Sequence, residues 1–283
     1  MISQFREHRT GRIPSFLYGT AWKEDATAAL VTQALAAGFR GIDTANQRKH
    51  YHEAGVGEAL TIAFGRGTVR RDELYLQTKF TFRDGQDHRL PYDAAAPVAT
   101  QVAQSLASSC QHLGVVFINS LILHGPSQSG TLGPADHQAW RAMEALVDEG
   151  KVGALGISNV APQQVRDLLA FARITPTFVQ NRCYASRGWD HEVRTICSAA
   201  DIIYQGFSLL TANKSTLASP VVLACAKHHA RSPAQIVFRY ALQLAMLPLT
   251  GSSSATHLRE DLQVFDFALS SDDMTALTAH DAS

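Results

Sequence analysis

The strongest constraint on this chain is a regular alternation of short apolar, β-branched runs with longer amphipathic ones, repeated from end to end. Eight runs read as strands: FLYGT (16–20), GFRGIDTA (38–45), LYLQTK (74–79), FINSLILH (117–124), VGALGISN (152–159), TFVQN (177–181), DIIYQGFS (201–208) and MLPLTG (246–251). Between them, segments such as EDATAALVTQALAAG, EAGVGEALTIAF, APVATQVAQSLASSCQHLG, HQAWRAMEALVDEG and APQQVRDLLAFAR repeat apolar residues at i, i+3, i+4 and i+7, the spacing of one helix face. Gly38 and Gly150 stand where C-terminal caps belong, and Ser232-Pro233 reads as an N-cap followed by proline at the first helical position. A strict βαβα order predicts a parallel sheet with right-handed crossovers. Eight such units in 283 residues is the count of a closed (β/α)8, or TIM, barrel.

No linker, low-complexity segment or further repeat interrupts the pattern, so residues 1–283 read as one barrel domain. Lys plus Arg and Asp plus Glu number 25 each, which provides no field for nucleic acid or an anionic membrane and favours a small neutral or weakly charged ligand. Cys110, Cys183, Cys197 and Cys225 form no CxxC pair and read as packing residues. The N-terminus has no signal-peptide run, and no window is apolar enough to span a membrane, so a cytoplasmic location is the expectation. GPSQSGTLGPAD (125–136) and LLTANKSTLAS (209–219) read as loops at the C-terminal ends of strands, where a barrel builds its site.

In such a barrel the C-terminal strand ends share one mouth. Read in order they are Asp43, Lys79, His124, Ser158-Asn159, Gln180-Asn181, Phe207-Ser208 and Gly251-Ser252, with Tyr51 in the loop after Asp43. No serine or cysteine there has a triad-like context. A phenol beside an ammonium is instead suited to proton transfer, because the positive charge favours phenolate and draws its pKa down from about 10. Lys79 supplies that charge, Asp43 holds Lys79, and His124 can donate or accept a hydrogen bond at a carbonyl oxygen. Reduction of a carbonyl then needs a hydride carrier. Each residue also has a plainer reading: Asp43 and Lys79 as a structural ion pair, His124 as a strand cap, Trp22 and Trp140 as wall and core.

The motifs GTAW (19–22), GFRGIDTA, EAGVGEAL, LYLQTK, LILHGP, GKVGALGISN, FVQN, GFSLL and HLREDL occur together and in order. In this the chain resembles the aldo-keto reductase family. The resemblance implies a barrel preceded by a short N-terminal β-hairpin, with NADPH or NADH extended across the mouth. Aldehydes or ketones would be reduced by Asp43, Tyr51, Lys79 and His124. It assigns Ser158, Asn159 and Gln180 to the cofactor carboxamide and Phe207 to the nicotinamide face. Thr20, Ala21, Ser208, Leu210, Ser252, Ser253, His257, Glu260 and Asp261 would contact the rest of the cofactor, and Trp22 the substrate. A nicotinamide enzyme of this family needs no GxGxxG; the nearest run, GRGTVR (65–70), ends in Arg and precedes a strand.

The chain departs from the family's pattern in three places. Counted forward from Asp43 the tyrosine position is Arg48, and counted back from EAGVG it is His50; Tyr51 is the one phenol nearby, in a loop three residues longer before it and one shorter after. His50 and His52 have the spacing of an HxH metal pair but no third ligand. The family's two phosphate-binding cations after the last strand are Gly251 and His257 here, which leaves NADPH and NADH both open, the family's habit weighing toward NADPH. Ser252, Ser253, Ser254, the following helix N-terminus, His257 and Arg259 remain for a phosphate. Phe207 stands for the family's stacking tyrosine and keeps the π-face, with Tyr204 inside the strand.

These residues give an NAD(P)H-dependent carbonyl reductase acting on a small molecule through an open, permissive pocket. Two alternatives remain: a cofactor-binding barrel with a regulatory or interaction role and little catalysis, and an isomerase or lyase using Lys79 as a Schiff-base amine.

Overall fold

Each of the eight segments forms a strand in the computed structural model, which describes residues 2–281; Met1, Ala282 and Ser283 of the 1–283 domain reading lie outside the described residues. The barrel strands are β3 (Leu17–Gly19), β4 (Gly41–Asp43), β5 (Tyr75–Phe80), β6 (Ile118–Leu123), β7 (Val152–Ser158), β8 (Phe178–Arg182), β9 (Ile203–Phe207) and β10 (Leu247–Thr250). They pair in parallel in sequence order, and β10 closes the ring between β9 and β3. Ahead of them β1 (Phe5–His8) and β2 (Gly11–Pro14) form the expected hairpin, joined at Gly11, whose φ of +108° suits a residue without Cβ. The hairpin closes the bottom of the barrel. Buried Ile13 packs with Leu17, Tyr75, Ile122, Phe178, Ile203 and Leu247, and Arg6 donates to the Met246 carbonyl at 3.1 Å.

Strand alternation sorts the side chains into two compartments. In β5, Tyr75, Gln77 and Lys79 face the barrel interior, while Leu76 and Phe80 join the outer core against the helices. Above the apolar floor lies a polar layer. Gln77 and Gln205 exchange amide bonds at 2.8 and 2.9 Å, Gln180 donates to Gln205 Oε1 at 2.8 Å, and Ser120 donates to Gln77 Oε1 at 2.9 Å. Burying three amides is tolerable because each finds partners in this layer. The mouth rests on it.

The helices are α1 (Thr27–Ala37), α2 (Glu53–Gly65), α3 (Val98–Leu113), α4 (Pro134–Asp148), α5 (Pro162–Phe171), α6 (His191–Ala199), α7 (Lys214–Leu217), α8 (Pro220–His229), α9 (Pro233–Gln243), α10 (Ala255–Leu262) and α11 (Ser271–Asp281). Ser232 caps α9 as expected, its Oγ accepting from Gln235 N–H at 3.3 Å. Gly38 ends α1 at φ +114°. Gly57 lets α2 meet α3, since a Cβ there would run into the His112 carbonyl oxygen. The loop reading of 209–219 is corrected by α7, and that of 125–136 by α4, which begins at Pro134. Among the described residues no helix is long and apolar enough to cross a membrane.

Candidate active site

β4 and β5 are neighbours, in a register that pairs Asp43 with Gln77, so Asp43 and Lys79 emerge side by side at the mouth. Lys79 Nζ lies 2.7 Å from both Asp43 oxygens and donates to the Thr44 carbonyl at 2.8 Å. Lys79 is 1% exposed and Asp43 3%. Two unpaired charges here would be costly. The pair is further satisfied by Gln77 and Gln180, which donate to Asp43 Oδ1 at 2.6 and 3.1 Å. Burial pushes the Lys79 ammonium toward neutrality, but Asp43 and Tyr51 outweigh it and hold the amine protonated. An ammonium with its protons so engaged is no Schiff-base nucleophile.

The longer loop does bring Tyr51 to this pair. Lys79 Nζ lies 4.9 Å from the Tyr51 ring centroid, and the His124 ring meets it edge-on at 5.8 Å. The loop is tied on both flanks: Trp22 N–H donates to the His50 carbonyl at 2.7 Å, Gln47 Nε2 to the Gly85 carbonyl at 2.6 Å, and Gln86 Nε2 to the Asn46 carbonyl at 2.8 Å. The expected fall in the Tyr51 pKa is corrected by the structure. Burial dominates and raises the phenol above its ordinary value, while the Lys79 charge and hydrogen bond pull the other way. Tyr51 is therefore a protonated donor at neutral pH. Burial, then Lys79 and His50, push His124 well below the usual histidine range, leaving a neutral imidazole.

Above these groups opens a cleft of about 930 Å³. Asp43, Tyr51, His124, Ser158, Asn159, Gln180, Phe207, Ser208 and Leu210 line it, with Ala21, Trp22, Ser252, His257, Glu260 and Asp261; Lys79 lies beneath. Two residues assigned to the cofactor are not brought in. Thr20 is buried with its hydroxyl on the Asp43 carbonyl at 3.0 Å, and exposed Ser253 lies outside the lining. The loop at 125–136 contributes no lining residue either, folding instead onto α4 and α5, where Ser127 N–H donates to Asp136 at 2.6 Å and Gln164 Nε2 to the Gln128 carbonyl at 3.1 Å. Sequence reasoning missed Lys23, Arg182 and Lys214, three cations of the lining that single-residue patterns do not mark. Lys23 donates to the Gly251 carbonyl, beside the place of the absent cation. The His50 ring lies tilted against Trp22 at 4.0 Å between centroids, whereas His52 turns away to the Glu24 carbonyl at 3.3 Å.

The amides at the mouth have a definite polarity. Gln180 spends its Nε2 hydrogens on Asp43 and Gln205, and Asn159 spends its Nδ2 hydrogens on the His124 carbonyl at 2.7 Å and on Ser158 Oγ at 3.1 Å. Each is left with a carbonyl oxygen for a ligand. The arrangement offers a proton donor, a fixed ammonium, a neutral imidazole and two amide acceptors around one space.

Residues 16–282 match the model of the Aldo/keto reductase family. An Arabidopsis thaliana member of aldo-keto reductase family 4 is 30% identical, over 95% of this chain and 86% of its own length. A Rattus norvegicus member of aldo-keto reductase family 1 is also 30% identical, over 96% and 87%. The crystal structure of an aldo/keto reductase from Brucella melitensis superposes with a TM-score of 0.84 at 26% identity, covering 99% of this chain and 98% of the other. With the closed eight-stranded barrel, its N-terminal hairpin and a match across nearly the whole sequence, this chain belongs to the aldo/keto reductase family, oxidoreductases acting on carbonyl compounds.

Proposed function

We propose that the protein is an NAD(P)H-dependent reductase of small aldehydes or ketones, reversibly an alcohol dehydrogenase, with Tyr51 as general acid and base. The observation that carries this is the cluster on the cleft floor: a protonated phenol against an ammonium that is itself 2.7 Å from both oxygens of Asp43. The cleft fits the cofactor in kind. Phe207 offers a π-face, and the Gln180 and Asn159 oxygens accept from a carboxamide NH2. Ser252, His257 and Lys23 would stand at the phosphates and Glu260 and Asp261 at the adenine, with NADPH favoured over NADH by family habit. When bound, the reduced nicotinamide supplies hydride to the carbonyl carbon. The Tyr51 hydroxyl gives its proton to the carbonyl oxygen, Lys79 steadies the phenolate left behind, Asp43 holds Lys79, and His124 orients the carbonyl. Trp22, 68% exposed at the rim, would face the substrate in a site open enough to be permissive.

Titration with NADPH and with NADH, followed by turnover of an aldehyde and a ketone series at the reduced-nicotinamide absorbance band, tests this reading. Tyr51→Phe is expected to bind cofactor normally and lose about 10²- to 10⁴-fold in kcat. Normal turnover by Tyr51→Phe would refute the assignment. Binding without oxidation by any carbonyl would leave a regulatory or interaction role.

A further inference from the structure

Thr81, just past β5, is 5% exposed and sits under the His124 ring, with Oγ1 and Nδ1 2.7 Å apart. Both partners are held from behind. The Thr81 carbonyl accepts from the Tyr92 hydroxyl at 2.8 Å, and its methyl abuts Gly85, where an added Cβ would lie 2.7 Å from Cγ2. The His124 backbone N–H donates to the Phe80 carbonyl at 2.8 Å, and its carbonyl accepts from Asn159 at 2.7 Å.

A neutral imidazole carries one proton, which leaves two arrangements. With the proton on Nδ1, Thr81 Oγ1 accepts and its own buried hydrogen has no acceptor; Nε2 then faces the cleft as a lone pair. With the proton on Nε2, Thr81 donates to Nδ1, its hydroxyl hydrogen has an acceptor, and Nε2–H is left for the cleft. Leaving a buried hydrogen unpaired is the costlier choice. Only the second arrangement can donate to a carbonyl oxygen.

We propose that Thr81 is a positioning residue: its hydroxyl fixes the tautomer and tilt of His124, so that Nε2–H is the edge presented to the substrate. This rests on reading His124 as the group that orients the carbonyl. Thr81 touches neither substrate nor cofactor, and acts through the ring alone.

Nitrogen NMR of histidine-labelled protein reads the tautomer without turnover. Wild type and Thr81→Ser are expected to show the Nε2–H form of His124, and Thr81→Val, which keeps the shape without the hydroxyl, a mixture or the Nδ1–H form. Alongside, Thr81→Val should lose about 10- to 100-fold in kcat with cofactor Kd unchanged, and Thr81→Ser should recover most of it. Should Thr81→Val fail to fold, Thr81→Ala carries the same expectation. An unchanged His124 signal in the variant lacking the hydroxyl overturns the proposal, as does a rate loss that Thr81→Ser does not rescue. If the wild-type protein reduces no carbonyl, the functional reading falls, while the ring signals still decide the role of Thr81.

Discussion

Replacing Lys79 by methionine separates the two things the buried pair does. The side chain is nearly isosteric, so packing is kept while the charge and the hydrogen bonds to Asp43, Thr44 and Tyr51 are lost. Asp43 is then a carboxylate 3% exposed with no counter-charge. Stranding one member of a buried pair costs about 3–5 kcal/mol, and the donors Gln77 and Gln180 that remain on Oδ1 place this case near the lower end. At about 2–4 °C per kcal/mol for a chain of this class, Tm should fall by roughly 6–12 °C. The rate should fall further. Lys79 is the group that opposes the burial-raised pKa of Tyr51, and without it proton donation from the phenol in reduction, and formation of the phenolate that acts as base in the reverse direction, lose their assistance. A loss of about 10³-fold in kcat is expected, with cofactor Kd little changed. Thermal melts, cofactor titration and steady-state rates on Lys79→Met, Asp43→Asn and the double variant form a cycle. The double variant removes both charges and should regain most of the stability but none of the rate. A Lys79→Met protein with at least a tenth of wild-type turnover, or a double variant that regains turnover, would refute this account.

Three further outcomes follow from other sites. Burial raises the Asp261 pKa to about 6 against opposition from Thr250 and His257, so the stability its protonated form provides is full at low pH and lost as pH rises through about 6. Asp261→Asn, which still accepts from Thr250, should therefore raise Tm above about pH 6 by the equivalent of about 1–3 kcal/mol and have little effect well below it; a pH-independent change would contradict this. Burial resists ionisation of Asp273, but bonds from His229, Ser270 and Cys225 win and hold it well below the usual carboxylate range. Its contribution is present at neutral pH and lost on acidification through the carboxylate range, so Asp273→Asn should flatten the acid limb of the Tm profile. Gly57→Ala should destabilise by about 3 kcal/mol in denaturant titration, because α2 and α3 must separate to clear the His112 carbonyl; a neutral result would mean the helices yield freely.

Much of the site is legible in the sequence. Parallel strands in sequence order bring their C-terminal ends to one mouth, so locating eight apolar runs was enough to gather Asp43, Lys79, His124, Ser158, Gln180 and Phe207. Period-two alternation also determines that Gln77 shares an interior face with Lys79. The helices α6, α7, α8 and α11 are not among the segments expected from periodicity, and α7 is a single turn with too few residues to show a period. Tyr51 marks the boundary. Its residue type singles it out in sequence, but a loop has no period from which position follows. Its place depends on Trp22, Gln47, Gly85 and Gln86, residues of three separate loops whose contacts exist only after the barrel closes. The same holds for the direction of its pKa shift and the inward turn of Thr20, which are settled by burial and by which neighbour lies nearest. The order of residues along the chain determined which groups share the mouth; packing among distant loops decided how they face one another.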